Sequence, residues 1–431
     1  MNILKEASVP SLDAETYFSA LQEPAFVLEF RRRALAHYTE QPLAKFEKSD
    51  LSRRNVHAFR AVPKTNGDSS SWRSVAESHM NAQDRHPLIV IADGSVVHVS
   101  GVDQLSAQGV IFCSLREAVN KHPNLVQKHL GTVVPSDENN LIALQSALWR
   151  DGVFLYAPKN VQLVQPVQLL VVTTHGGYGT FARNLIVADT GSQVSFLDSY
   201  VAPSTLEDEL QVGVTEVIVG DGAKVKIGTV QDFPRKATNV LVRRAKVLRS
   251  GQMNWVVGEV GDGYTVAEFG SLLEGEGSVS TSHAIALGAG RAHMDLTSRM
   301  VHIGRFSESD TMARGVMQGK ANAVYRGLTH ILKGASGANG QQSEKLLMLS
   351  GDSRADAIPM LLIDENDVKC GHAASVGQIN EDQLFYLMSR GISEASAKRL
   401  IVWGFVDPVL AELPLDIVRK AMENVLERKM A

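Results

Sequence analysis

The sequence predicts a mainly β protein built on a β-solenoid, with an N-terminal α+β region before it and a C-terminal helical region after it. Three observations lead there. From about residue 152 to 370, short runs rich in Val, Ile and Leu alternate with Gly-containing turns, as in "NLIVADTGSQVSFLDSY", "EVIVGDGAKVKIGTV", "KVLRSGQMNWVVGEV" and "SLLEGEGSVSTSHAIAL". The turn glycines Gly191, Gly222, Gly251 and Gly277 follow one another at intervals of 31, 29 and 26 residues. Recurrence at roughly 20–50 residues marks stacked repeats, and no helical periodicity interrupts this one. Each coil would then bury its inner face against the coils above and below. A β-sandwich also contains many short strands, but the recurrence favours the solenoid.

The flanking regions read differently. "SLDAETYFSALQ" starts with a Ser cap and spaces its apolar residues helically. "PAFVLEFRRRALAHYTEQP" lies between prolines, and Pro24 suits the start of a helix. Residues 61–85 are polar and poor in large aliphatics, and read as a linker. "HPLIVIADGSVVHVS" is a hairpin about Asp93-Gly94, because that turn needs positive φ. "SLREAVNKHPNLVQKHL" and "NNLIALQSALWRD" read as helical. Residues 1–150 thus form the N-terminal region, and 151–377 the solenoid. In 378–431, "INEDQLFYLMSRG" pairs an Asn380 cap with Gln383 and ends at Gly391, and two more amphipathic helices follow.

Composition excludes more than it identifies. Of 431 residues 44% are apolar and 21% charged, enough for a large core in a water-soluble chain. No run approaches ~18 consecutive apolar residues, so no membrane span is expected. The start resembles neither a signal nor a transit peptide. Two cysteines imply no disulfide framework and point to the cytoplasm. A net charge of −4 gives no general attraction for nucleic acid.

The densest candidate for chemistry is "DVKCGHAASVG", residues 367–377. On a strand, Cys370 and His372 share one face, and thiolate with imidazole suits zinc, copper or iron–sulfur chemistry. A closed site takes about four ligands, and the only other cysteine, Cys113 in "GVIFCSL", looks like a buried strand residue. The pair therefore needs ligands from distant residues or a second chain. By itself it also reads as a packed cysteine beside a structural histidine. His283, His293, His302 and His330 form a second group, readable as outward histidines stacked on neighbouring strands. "GVMQGKAN" falls one residue short of a phosphate-binding loop and lacks its Ser or Thr, so no nucleotide is expected on this chain. Asp352, Asp356 and Asp364 are close enough in sequence to suggest paired carboxylates for glycoside chemistry. They equally suit turns, as in "SGDS". Arg31, Arg32 and Arg33 point three ways around a helix and read as a solvated face.

Residues 325–405 resemble the SufB/SufD family of iron–sulfur assembly proteins. The likeness rests on Asp-Val-Lys-Cys-x-His-Ala-Ala-Ser-Val-Gly at 367–377 and Asp-x-x-Phe-Tyr-Leu-x-Ser-Arg-Gly at 382–391. It also rests on the helix ending in Gly404-Phe405. "AKFEKSDLSR" near the N-terminus is similar to the family's opening signature. Within the family the chain resembles the SufD branch, which carries Cys-x-His here, whereas the SufB branch has Glu-His aligned on Gly371 and His372. Gly351 stands where the SufB branch has a cysteine before the Asp-Ser turn.

The resemblance implies a right-handed parallel β-helix and a non-enzymatic scaffold role in cluster assembly and iron acquisition. It implies a complex with a SufB-like subunit, joined edge to edge, and two SufC-like ATPases. A transient cluster or iron would sit at the interface with the SufB-like subunit, with His372 and then Cys370 as this chain's ligands. Phe385, Tyr386, Leu387, Arg390 and Gly391 would belong to the ATPase-docking domain. Two other readings compete: a β-helix enzyme acting on polysaccharide through Asp352, Asp356 and Asp364, and a self-assembling structural solenoid. A homodimer of the isolated chain is compatible with the family architecture.

Overall fold

The computed structural model describes residues 14–54, 56, 60–61, 71–77, 80, 86–206, 208–413 and 416–430. Its centre is a parallel β-solenoid of about eight turns. Each turn gives one strand to each of two sheets. The first sheet stacks Val153–Ala157, Tyr178–Ala188, Glu209–Val219, Ala237–Val247, Tyr264–Leu273, His293–His302, Asn322–Ile331 and Arg354–Ile363. The second stacks Val167–Val172, Gln193–Val201, Lys224–Asp232, Gln252–Glu259, Val279–Gly288, Glu308–Met317, Asn339–Met348 and Lys369–Gln378. Strand residues alternate between lumen and outside, and the inward set forms one continuous apolar core from Ile89 to Leu346.

The turns explain the glycine recurrence. Asn160, Gly191, Gly222, Ser250, Gly277, Phe306 and Gly337 stand in register, each with φ between +53° and +75°. Each donates its N–H to a carbonyl of the next coil, from Asn160 to Thr190 through to Gly337 to Asp367, at 2.7–2.9 Å. In the fourth of these turns the left-handed residue is Ser250, not the expected Gly251.

One end of the stack is closed. Ile111–Ser114 pairs antiparallel with Val153–Ala157. The hairpin of Leu88–Ala92 and Ser95–Ser100 joins Val167–Val172. Its turn residues Asp93 and Gly94 have φ of +48° and +74°, as the sequence requires. Helices Ala25–Glu40 and Asn140–Leu148 cover the outer face of the first sheet, against Leu185, Leu210, Val212 and Val240. Arg31 is fully buried there, contrary to the solvated reading. It makes two 2.7 Å bonds to Glu23, donates to the Ala147 carbonyl at 2.8 Å and lies over Trp149, so the buried charge is paired and hydrogen-bonded. Arg183 and Glu216 form a second buried pair (2.6 Å), and Glu216 also accepts the amides of Gly131, Val133 and Val134.

Two further readings change. Within the expected linker, Ser71–Ala76 is a helix with Trp72 buried, held by packing on Leu88 and Val90; most of 61–85 and the Ser11 cap lie outside the described residues. The helix expected to end at Gly404-Phe405 runs as Glu394–Leu410, with Pro408 in its last turn.

Helices Glu394–Leu410 and Asp416–Met430 pack on the outer face of the second sheet, against Val230, Val256, Ile285 and Val316. A Cβ at Gly258 would stand 2.7 Å from the Met422 sulfur, so a glycine here admits the helix. Lys226–Glu412 (2.9 Å) and Arg428–Asp232 (3.2 Å) flank the contact.

Glu209 is buried, and neither carboxyl oxygen has a well-formed hydrogen bond among the described residues. Burial pushes it up to about 8 from an ordinary 4.5. The folded state therefore holds a proton that the unfolded chain releases. Its contribution to stability falls as pH rises from about 4.5 to about 8, at most ~1.4 kcal/mol per unit. Thermal unfolding of Glu209→Gln across pH 5 to 9 should show a shallower decline and a higher midpoint than wild type at the alkaline end; an unchanged slope would contradict this.

Candidate functional site

The other end of the stack is open. Arg354–Ile363 and Lys369–Gln378 are the last strands of their sheets, and among the described residues nothing pairs with their outer edges. Exposure changes accordingly. Every residue of Glu209–Val219 is buried, whereas no residue of Lys369–Gln378 is. Leu362, Ile363 and Val376 are exposed on this terminal coil, at 48%, 45% and 42%. An unpaired, partly apolar edge is an adhesive surface that proteins cover or use.

Cys370 and His372 sit on this edge strand. Parallel register aligns Cys370 with Gly340 and His372 with Gln342 of the coil beneath. Gln342 faces the lumen, where its amide bonds the Thr329 hydroxyl at 2.5 Å. The two candidate ligands therefore share the lumen side of a coil with no coil above it. His372 is exposed. Cys370 is half-buried against Ile331, Ala335 and Ala338, and burial raises its thiol pKa. Among the described residues no three His, Cys, Asp or Glu side chains are gathered closely enough to hold a metal ion. The terminal coil thus carries a half-buried thiol and an exposed imidazole two residues apart.

The four other histidines do not form a stack. His302 lies inside the solenoid, with Ser307 (2.9 Å) and Ser309 (2.8 Å) on its two nitrogens; burial lowers it to about 4. His293 is on the outer face. Its Nε2 meets Ser49 Oγ at 2.7 Å, and its ring stacks on Tyr264. His283 faces Asp310 and His330 faces Asp364. Neighbouring-strand histidines miss one another in register: His293 aligns with Asn322, and His330 with Val301. His293 anchors the "AKFEKSDLSR" segment. Ser49 also bonds Asp295, Arg326 bonds Asp295 and the Glu47 carbonyl, and Lys48 pairs with Asp356 at 3.1 Å.

The aspartate trio does not converge. Asp352 faces Lys320 (3.9 Å), Asp356 faces Lys48, and Asp364 accepts from His330 (3.0 Å). Asp356 lies within Arg354–Ile363 and Asp364 just past its end, eight extended residues or about 26 Å away. Paired glycosidase carboxylates stand ~5–9.5 Å apart. The "GVMQGKAN" segment joins two strands through a turn at Gly319, with no helix N-terminus to receive phosphate.

The C-terminal helix Glu381–Ser389 is capped by Asn380, which accepts the Gln383 amide at 3.1 Å, and ends at Gly391 with φ +86°. Phe385 and Tyr386 are 72% and 57% exposed. Arg390 lies over the Tyr386 ring and donates to its hydroxyl at 3.2 Å, while Leu387 is half-buried. Tyr386, Leu387, Leu400, Ile401 and Gly404 line an open groove of ≈ 500 Å³. No helix among the described residues is long and apolar enough to cross a membrane.

The structure thus presents a solenoid open at one edge, with a thiol and an imidazole on its rim. Comparison with known proteins gives the class. The SufBD core domain of the SUF system for FeS cluster assembly matches residues 171–405, and the SufBD N-terminal region matches 22–169. The chain belongs to the SufB/SufD family of iron–sulfur cluster assembly proteins. It is SufD-like: it is 35% identical to the iron–sulfur cluster assembly protein SufD of Bacillus subtilis, over all of both chains. It is 30% identical to a SufBD family protein of Staphylococcus haemolyticus, covering 92% of this chain and 87% of that one. A Staphylococcus aureus family member gives 30% over 91% and 87%.

The two thiols differ in setting. Cys113 is half-buried on its strand, and burial, with Glu117 and Asp151 nearby, pushes it up to about 12. Since the thiolate is the reactive form, Cys370 should alkylate about tenfold faster or more at pH 8. Peptide mapping after limited iodoacetamide treatment checks this, and preferential Cys113 labelling would contradict it.

Proposed function

We propose that this chain is the SufD-like scaffold subunit of a SufBCD-type complex. A SufB-like subunit pairs with the open edge, and iron or a nascent cluster is held between them as cargo. His372 supplies an imidazole, Cys370 is the second candidate ligand, and the partner completes the coordination sphere. The observation that carries this reading is the placement of His372 on the last, uncovered coil. A buried pair deep in the stack would have served packing alone.

The chain performs no ATP chemistry in this account. Two SufC-like ATPases supply it, one of them docked on Phe385, Tyr386, Leu387, Arg390 and the groove beside them. Their movement would be transmitted through helices that are themselves packed on the second sheet. The complex works in the cytoplasm, where thiols stay reduced. The isolated chain would cover its open edge with a second copy of itself.

Two experiments test the reading. Co-expressed with SufB-like and SufC-like partners, His372→Ala should still form the complex while anaerobically assayed iron and sulfide fall about tenfold. Undiminished cluster content would count against the assignment. Phe385→Glu should weaken ATPase binding by about thirtyfold, the scale of losing a ~2 kcal/mol interface anchor; calorimetry showing wild-type affinity would remove this helix from the interface.

A further inference from the structure

The ladder of left-handed turn residues contains one that the coil does not require. Six of its seven positions hold Gly, Asn or Ser, the small residues that suit turns. The seventh is Phe306, at φ +53°. A bulky side chain is rare in this conformation, which crowds its Cβ against the backbone. Burial offsets little of that cost, since Phe306 is 50% exposed, the one exposed aromatic on the solenoid among the described residues. Strained backbone of this kind clusters at functional surfaces.

The surroundings aim the ring at the open edge. A Cβ on Gly337 would lie 2.3 Å from the ring's Cδ1, so the ring rests on Gly337, one coil nearer the rim. The Gly337 N–H bonds the Asp367 carbonyl of the last coil at 2.7 Å, which leaves the ring about 5 Å below the final turn. Arg305 lies over the ring, 5.1 Å from its centroid, and among the described residues no carboxylate pairs with it. Ile303 beside it is exposed. Register stacks Ile363 on Ile331 and Ile331 on His302, so the exposed Leu362 and Ile363 of the last coil reach the same corner. An apolar strip with one cation therefore descends from the rim over two coils.

We propose that this corner is a second contact for the subunit that seats on the open edge, with Phe306 as its anchor. This rests on the reading of that edge as the seat of a SufB-like subunit. A chain paired with the last coil needs to overhang it by only ~5 Å to cover the ring. The fitting partner surface is an apolar hollow for the ring with a carboxylate opposite Arg305, since aromatic and Arg side chains are the types enriched at interfaces. The corner also supplies what the edge lacks. Backbone pairing alone fixes register weakly, and a side-chain anchor at one end of the strand sets it.

The test measures binding of a purified SufB-like subunit to the full-length chain by calorimetry, beside thermal unfolding and self-association by ultracentrifugation. Phe306→Asn installs a residue that the ladder already accepts at Asn160. It should weaken binding by about tenfold, with an unfolding midpoint equal to or above wild type, and Arg305→Glu should also weaken binding. If Val376→Glu on the rim strand weakens binding while Phe306→Asn matches wild type, the inference fails and the edge reading stands. If neither variant weakens binding, both fail. A lower midpoint in Phe306→Asn would mark the ring as a structural residue and overturn the inference. Lost self-association with partner binding intact would assign the corner to a second copy of this chain, and overturn it as well.

Discussion

Every coil of this protein has its backbone satisfied by its two neighbours, and the last coil has only one. That constraint organises the molecule. The ladder of left-handed turn residues and the parallel pairing run without interruption from Asn160 to the turn that receives Gly337. At the N-terminal end, antiparallel strands close both sheets. At the other end Lys369–Gln378 has an outer edge unpaired among the described residues and carries the exposed Val376 and His372 together. A stable monomer would blunt such an edge. Its retention fits a subunit completed by another chain.

The rest of the chain holds this edge in place. N-terminal helices cover one sheet, and the sheet's own buried Arg183–Glu216 pair holds them by bonding Gln145, Ser146 and the amides of Gly131, Val133 and Val134. Breaking one partner of such a pair would strand a charge, at a cost of ~3–5 kcal/mol. The Ser49 segment extends this layer to the terminal coil through Lys48 and Asp356. The C-terminal helices divide their surfaces: Val406, Val409 and Met422 are committed to the solenoid, while Phe385, Tyr386 and Leu400 face outward. A contact made on the outward side of Glu394–Leu410 thus lies one helix away from the sheet.

Much of this was legible in the sequence, for physical reasons. Alternation and turn glycines announce a solenoid because only stacked coils need a left-handed residue at a fixed recurrence. The position is set by the coil, not by glycine, which is why Ser250 holds it where Gly251 was expected. Charges were the least legible. Arg31 looks solvated beside Arg32 and Arg33, and burial becomes visible only with Glu23 and Trp149 in place. Asp352, Asp356 and Asp364 look paired in sequence, yet extended backbone separates the last two widely. The motif located Cys370 and His372, and register alone showed what lies beneath them.

The most direct measurement is hydrogen–deuterium exchange on residues 369–378, in the chain alone at low concentration and after adding a SufB-like partner. Rapid exchange that becomes strongly protected on mixing is the expected result. A strand already protected in the monomer, or still exchanging freely in the complex, would contradict an edge that another subunit completes.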